Sequence, residues 1–569
     1  VQTGSTRRIW VIVIVLIIGT IVVVGRLFQF QVIMAAELEA EGQDIRWDQQ
    51  NTVPDRGLIL DKSGNVLAVP GRDYQLGASP PWFTKAEAEN MATELAPILQ
   101  MKRTEILKRL LAQEQYMPLS DSEFAGRLPS HTIELIRELD HPGLVLDPVP
   151  RRMYPQGELM CDILGYVDYD NVGGSGLESF YDDALSGESI SLGRPLTPLY
   201  PRTSVSTREG ADLVLTIDRT VQRTVERHLE EAIDFYGATG GTIIAMNPKT
   251  GAILASANWP CFSPYDYRFE NPELIVDEAV SSAYEPGSVM KLVNMAIGLE
   301  TGVVSPSSTY ADTGTFLYGG APIYNADRSG YGTVNMTQVL QWSLNTASSW
   351  IATLNSPDTF YDYMQNFGFG RTTGIDVANE AEGTLSVPGD PLWSQSNHAV
   401  NAFGQGMAVT PLQMISSVSA IANGGERMWP YVVQEQRTVE RTYIHEPQIK
   451  SIPISKETAN QVTAMAVVSA GLGEVEGYTV AGKSGTAQIP EGGIYHPTDT
   501  IHSYIGWLPA DDPQLLILVK LDRVTAVEWG GESAGPTFSA LAQDLVVLLG
   551  IPPDEVRLNG QQAAINAQP

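Results

Sequence analysis

Cysteine is almost absent from this sequence: among 569 residues there are only Cys161 and Cys261. Two thiols cannot build a disulfide framework or a cysteine-based zinc cage. A single bridge is allowed, and two buried free thiols are the expectation. Basic charge is also scarce, with 36 Lys and Arg against 66 Asp and Glu and a net charge of −30. That balance argues against nucleic acid as a partner and against a protein lying on anionic lipid. It says little about the substrate, because an acidic excess usually describes a solvated surface. The seven histidines form no cluster and no His-Glu-x-x-His helix is present, so neither a metal site nor a cofactor is expected. Internal repeats are missing, and the one low-complexity stretch is a polar tail over 556–569. Long apolar runs are missing too, with one exception.

The exception lies at the N-terminus. Ile9 to Gly25 is a run of 17 uncharged residues, mostly Val and Ile, which Leu27, Phe28, Phe30, Val32 and Ile33 can extend. Arg7 and Arg8 precede it, which places a short tail (1–8) in the cytoplasm, a transmembrane helix over 9–33 and everything later outside the membrane. A cleaved signal peptide is the rival, but no small-x-small site follows the run.

The remaining length exceeds one core, so at least two domains are expected. Residues 34–205 are mixed. Arg56 to Asp61, then Gly64 and Leu67-Ala68, read as two short strands around a turn. Ala88, Met91, Leu95 and Ile98 share a helical face, with Pro97 kinking or ending that helix. The pattern changes near Gly210. Asp212 to Ile217 reads as a strand, and Asp218 caps a helix to about Phe235. Thr242–Met246 and Ala252–Ala257 form a hairpin across Asn247 to Gly251, and Ser503–Trp507 with Leu515–Leu521 form another. A closing helix is expected over about Thr537–Leu549. Strands at both ends with helices between predict an α+β domain over 206–555, one antiparallel sheet flanked by helices.

Tyr284 to Lys291 is the sharpest local feature. Val289, Leu292, Val293 and Ala296 have helical spacing, so Ser288 and Lys291 lie three apart at the start of a helix, within reach of each other. A serine becomes a nucleophile when a neighbouring base takes its proton, and a desolvated lysine can be that base. About one Ser-x-x-Lys is expected by composition in a chain this long, so order along the chain must decide. An acyl-serine site of this kind needs a second polar element for protons and a cationic strand for a substrate carboxylate. Ser-x-Asn occurs at Ser63, Ser256 and Ser343, and Lys-Ser/Thr-Gly at Lys62, Lys249 and Lys483. Lys62 and Lys249 sit in turns before Ser288, where Ser, Thr and Gly serve the backbone. Lys483-Ser484-Gly485-Thr486 instead follows an apolar strand, and Ser343-Leu344-Asn345 lies in a helical region after Ser288. Two decoys fail. Gly477 to Ser484 matches a phosphate-binding loop but prefers a strand and is followed by no helix. Gly531 to Gly535 matches a nucleophile elbow, yet no histidine follows it, so a glycine-rich loop is expected there.

With the three motifs in order, 55 and 140 residues apart, the sequence resembles the class B penicillin-binding proteins, the monofunctional transpeptidases of peptidoglycan synthesis. Arg56-Gly57 with Asp61, Tyr154-Pro155, Gly176-Leu177-Glu178, Leu215 to Asp218, Gly404-Gln405-Gly406 with Thr410 to Gln413, and Gly530-Gly531 add to the resemblance. It implies a transmembrane helix, an elongated pedestal over 34–205 and a penicillin-binding transpeptidase domain. By the same resemblance Ser288 would attack the penultimate D-alanine of a stem peptide and Lys291 would take its proton. Ser343 would relay a proton to the leaving amine, Asn345 would hold Lys291 and the substrate amide, and Lys483 would add positive charge. Ser484, Gly485 and Thr486 would bind the substrate, the two hydroxyls its carboxylate, while the amides of Ser288 and Thr486 form an oxyanion hole. β-Lactams would trap Ser288. A polytopic membrane glycosyltransferase of the shape, elongation, division and sporulation family would be the partner. Glu285-Pro286-Gly287 and Ser343 to Ser348 look closer to the division type than to the elongation type. Leu292 stands where the family has proline, and Ser484 where threonine is commoner. A D,D-carboxypeptidase or an anchored β-lactamase would use the same serine.

Overall fold

The computed structural model describes residues 3–29, 34, 54–79, 83–112, 117–119, 127–128, 130–141, 143–190, 206–265, 267, 271–492 and 494–559. Two units are distinguished: Val1–Pro54 with Gly187–Glu209, and Asp55–Ser186 with Gly210–Pro569.

The first unit holds helix α1 (Thr3–Phe28) and a two-stranded ladder of Glu188–Ile190 with Ser206–Arg208. Trp10, Val11, Ile14, Leu16, Ile21 and Val24 of α1 are all more than half exposed. The expected N-terminal helix is therefore present, although among the described residues no helix is long and apolar enough to cross a membrane. Residues 30–33 of the expected span, 191–205 and the tail from 560 lie outside the described residues.

The second unit begins with β1 (Ile59–Leu60) and β2 (Val66–Ala78), joined by the anticipated turn. Asp61 Oδ1 closes it by accepting from the amides of Ser63 (2.9 Å) and Asn65 (2.7 Å). β2 pairs along ten residues with β3 (Leu144–Met153). Helix α2 (Lys85–Leu99) packs Ala88, Met91, Ala92 and Leu95 inward behind a Thr84–Glu87 capping box. Pro97 lies in its last turn and the helix ends two residues later. The sheet also takes strands from beyond residue 206. β1 pairs in parallel with β4 (Asp212–Leu215), which pairs with β7 (Val433–Arg437).

A second sheet carries the third motif on its edge strand and packs against the helices that hold the other two. It runs β6 (Ile253–Trp259), β5 (Gly240–Met246), β10 (Leu515–Asp522), β9 (Ile494–Leu508), β8 (Ala481–Glu491), every neighbour antiparallel. Successive residues point to opposite faces. Ile243, Ala245, Ile517 and Val519 thus pack with Val225 and Leu229 of α4 (Arg219–Tyr236) and Phe538 and Leu541 of the closing helix. Ile244, Met246, Leu516 and Leu518 face a core that includes Val293, Ala296 and Ile415, the last on α8 (Pro411–Ala422).

Two expectations need correction. The closing helix, α9, spans Gly530–Leu548 and starts seven residues early, so Gly531 to Gly535 is helix rather than loop. Gly530 is there for close approach: a Cβ on it would lie 1.9 Å from the Gly485 carbonyl oxygen. The cysteines are not free thiols either. Cys161, which opens the short helix α3 (Cys161–Leu164), is bonded to Cys261, with Cα atoms 6.3 Å apart. Packing of α3 beside the loop after β6 supplies that proximity, which spacing along the chain does not reveal.

Candidate active site

The nucleophile turn is clamped by backbone contacts. Tyr284 and Val409 each donate a backbone N–H to the other's carbonyl at 2.9 Å, and Gly287 N donates to Gly404 O at 3.1 Å. Gly404 has φ +80, and a Cβ there would meet Gly287 O at 2.3 Å, so the Gly-Gln-Gly segment is glycine because the Ser288 turn lies directly against it. Gly287–Met290 is one turn of tight 3-10 helix leading into α5 (Lys291–Glu300). Residues three apart eclipse in such a turn. Lys291 Nζ consequently lies 2.9 Å from Ser288 Oγ.

The second motif closes on the same amine. Ser343 has φ +55 and forms the elbow between α6 (Met336–Gln341) and α7 (Asn345–Leu354), rather than lying within a helix. The bend lets two successive polar residues converge: Lys291 Nζ is 3.0 Å from Ser343 Oγ, 2.5 Å from Ser343 O and 2.7 Å from Asn345 Oδ1. All four partners of this amine are uncharged, and Lys291 is 1% exposed. Burial, and then the nearby charge of Lys483, push its pKa well below the usual lysine range. A lysine shifted in that direction gives up its proton readily, which suits it to serve as the base beside Ser288.

The third motif lies on β8, the edge strand of the sheet. Ser484, Gly485 and Thr486 line the same cleft as Ser288, Ser343 and Asn345, a cavity of about 1450 Å³. Lys483 is 2% exposed and donates to Ser484 O at 2.9 Å, close enough for its charge to act on the Lys291 amine. Burial lowers its pKa to about 8. Gly485 admits no side chain, since a Cβ would lie 2.4 Å from Ser503 Oγ and 3.2 Å from Pro286 O. Thr486 Oγ1 accepts from Gly530 N at 2.8 Å, so the N-terminus of α9 abuts the strand and adds partial positive charge. The structure brings seven of the eight expected residues to the cleft or its amine; Lys483 is buried beside them and acts on Lys291 through its charge.

The decoys fall elsewhere. Ser63 donates to Asp218 in the β1–β2 turn (2.8 Å), and Asn258 is buried in β6. Ser533 does meet a histidine, with Oγ 2.8 Å from His502 Nδ1, but both are fully buried. Sequence reasoning missed one wall of the cleft, Tyr324 to Arg328 with Tyr331 and Trp342, and the segment Arg523 to Trp529. Only Trp342 carried a sequence cue, as the residue preceding Ser343.

Comparison with known proteins gives matches over most of the chain. The penicillin binding protein transpeptidase domain matches residues 241–543, and the penicillin-binding protein dimerisation domain residues 51–190. Stage V sporulation protein D of Bacillus subtilis is 31% identical over 96% of this chain and 86% of its own length. A peptidoglycan D,D-transpeptidase FtsI homolog of Mesostigma viride is 28% identical over 96% of each chain. Among solved structures, penicillin binding protein 3 of Mycobacterium tuberculosis complexed with aztreonam superposes with a TM-score of 0.68 at 25% identity, covering 88% of this chain and 97% of that one.

Proposed function

Because this chain belongs to the penicillin-binding protein transpeptidase family, we propose that it is a class B peptidoglycan D,D-transpeptidase working through an acyl-enzyme at Ser288. The observation that carries the reading is the buried Lys291 amine, held among Ser288, Ser343 and Asn345 with no charged partner. As a free base it takes the Ser288 proton while Oγ attacks the carbonyl of the penultimate D-alanine. The substrate carboxylate lies against the hydroxyls of Ser484 and Thr486, with Lys483 and the α9 N-terminus supplying positive potential. Ser343, in contact with Lys291 Nζ, passes the proton to the departing D-alanine amine. An amine from a second stem peptide then takes the acyl group and frees Ser288. β-Lactams acylate the same oxygen.

Membrane anchorage by α1 is part of the proposal. Its support is the uncharged run from Ile9 to Gly25, the preceding Arg7 and Arg8, and the exposed apolar side chains of the helix. On that reading the catalytic unit works outside the cytoplasmic membrane, 34–205 serves as its pedestal, and a polytopic glycosyltransferase is the partner. The motif details favour division over elongation.

The test is intact mass after incubation with benzylpenicillin, with the adduct mapped by digestion and Ser288→Ala run in parallel. A stable single adduct on Ser288, absent from the variant, is expected. No adduct on folded protein overturns the proposal, and an adduct that forms and disappears quickly would assign hydrolysis instead.

A further inference from the structure

Beside the second motif the cleft carries an aromatic ledge that no step above uses. The rings of Tyr331 and Trp342 stack with centroids 5.4 Å apart at 27°, both line the cleft, and each is 40% exposed. Exposed stacked rings at the mouth of a site present π-faces to whatever enters. At the end of the ledge sits the Asp327 carboxylate, which accepts from Tyr331 Oη at 2.8 Å and from Ser329 N at 3.0 Å. Those hydrogen bonds, the Ser329 amide first, hold its pKa below the usual range.

The ledge is indexed on the motif by buried groups. Asn345 Nδ2 donates to Tyr324 O at 3.0 Å. Its neighbour Thr346 donates through Oγ1 to Asp312 (2.8 Å), which also accepts from Asn325 Nδ2 (2.8 Å) and from Tyr331 N (3.0 Å). Asp312, Asn325 and Thr346 are all at most 3% exposed. Trp342 is bonded directly to Ser343. A group resting on the ledge is thereby held at a fixed offset from Ser343 and from the Lys291 amine.

We propose that Tyr331, Trp342 and Asp327 form the binding ledge for the ammonium group of the acceptor peptide, the amine that takes the acyl group from Ser288. The inference rests on the transpeptidase reading. Two π-faces with a carboxylate at their end suit a cation better than a neutral or anionic group. The other charges lining the cleft do not offer that combination: Asp499 pairs with Arg523, Arg328 lies 5.1 Å over the Tyr324 ring, and Glu528 adjoins the single ring of Trp529 rather than a stacked pair. The acceptor arrives as R–NH3+ and releases one proton to solvent. The free amine attacks the acyl carbonyl, the C–N bond forms, the bond to Ser288 Oγ breaks, and the second amine proton passes to that oxygen.

The full chain would be given a thioester donor and a sugar-free stem tripeptide as acceptor, and the split between hydrolysis and aminolysis followed against acceptor concentration. Acylation by benzylpenicillin is the control. In Trp342→Ala and Asp327→Asn the acceptor concentration for equal hydrolysis and transfer is expected to rise about tenfold, and by more than any change in acylation. An unchanged acceptor dependence with the tripeptide overturns the inference. So does a loss seen only when the acceptor carries its disaccharide, which would assign the rings to a sugar. If Trp342→Ala impairs acylation itself, Trp342→Phe and Trp342→Leu decide, since only the ring-bearing variant should keep the wild-type split. Absence of a penicillin adduct on the wild-type chain would instead count against the transpeptidase reading.

Discussion

Replacing Lys291 with methionine removes the amine and keeps most of the side-chain volume. If Lys291 is the general base, the acylation rate constant with benzylpenicillin should fall by about 10²- to 10⁴-fold, or roughly 3–5 kcal/mol in the barrier. The fold should survive. Methionine leaves the Asn345 and Ser343 oxygens short of a donor, at about 1–3 kcal/mol for a buried unsatisfied group. Against that stands the relief of an amine that is 1% exposed and has no carboxylate to offset its desolvation. The wild-type pH profile gives a second readout. Acylation needs Lys291 neutral, so the rate rises with pH through a Lys291 pKa that lies well below the ordinary lysine value. It also uses Lys483 as a cation, so the rate falls as pH passes about 8. Lys291, lowered by burial and by the facing charge of Lys483, governs the rising limb, and Lys483 governs the falling one. Stopped-flow acylation with a chromogenic β-lactam over pH 5–10 follows both limbs. A folded Lys291→Met variant that acylates within tenfold of wild type would refute the assignment.

Gly404→Ala places a Cβ 2.3 Å from Gly287 O at φ +80, and should lower stability by about 1–3 kcal/mol and slow acylation together; an unaltered acylation rate would mean the Ser288 turn is not held from that side. Cys161→Ser opens a link across 100 residues, which the chain-entropy account values at up to about 4.7 kcal/mol and experience at about 2–4. The melting temperature should drop, and reductant should give wild type the same drop; no change in either would refute the pairing. Asp162 and Asp277 both accept from Asn258 Nδ2, at 3.0 and 2.8 Å, and burial raises the Asp277 pKa to about 6. A carboxyl raised on folding stabilises below its unfolded pKa and loses that contribution as pH climbs through the folded value. Stability should therefore decline between about pH 4 and 6, and Asp162→Asn should flatten the decline in melting temperature; an identical slope would refute the coupling.

Much of this was legible in the sequence because the decisive elements are local. The Asp61 turn, the Asp218 cap, both hairpins and the Ser288–Lys291 spacing follow from residues within a few positions of one another, and the structure repeats them. What was not legible came from tertiary packing. Gly531 to Gly535 reads as a glycine-rich loop once the nucleophile elbow is excluded, yet the segment is helix, and the approach of α9 to the Gly485 carbonyl demands glycine at 530. Ser343 read as helical, but convergence on one amine bends the chain there to φ +55. Cys161 and Cys261 meet only through packing, and the Tyr331–Trp342 ledge joins two segments that nothing in their sequence relates.

The same tertiary contacts explain why residues 55–186 cluster with 210–569. Glu178, fully buried, accepts from Arg56 Nε and Arg152 Nε at 2.6 Å each, while Arg152 Nη1 holds Gly57 O at 2.7 Å. Removing one partner of such a buried set typically costs about 3–5 kcal/mol, several times thermal energy. A few residues on, Met160 N donates to Glu226 at 2.9 Å, Cys161 is bonded to Cys261, and Asp162 shares Asn258 with Asp277. Asp277 caps the short helix Glu278–Ser281, and three residues past that helix Tyr284 is locked to Val409 at the entry to the Ser288 turn. Each link is desolvated or covalent, so a hinge between 160–162 and the turn would have to break several at once. The Ser288 turn is thereby tied to α3 by tertiary contacts rather than by proximity along the chain, and the motif geometry depends on packing more than a hundred residues away.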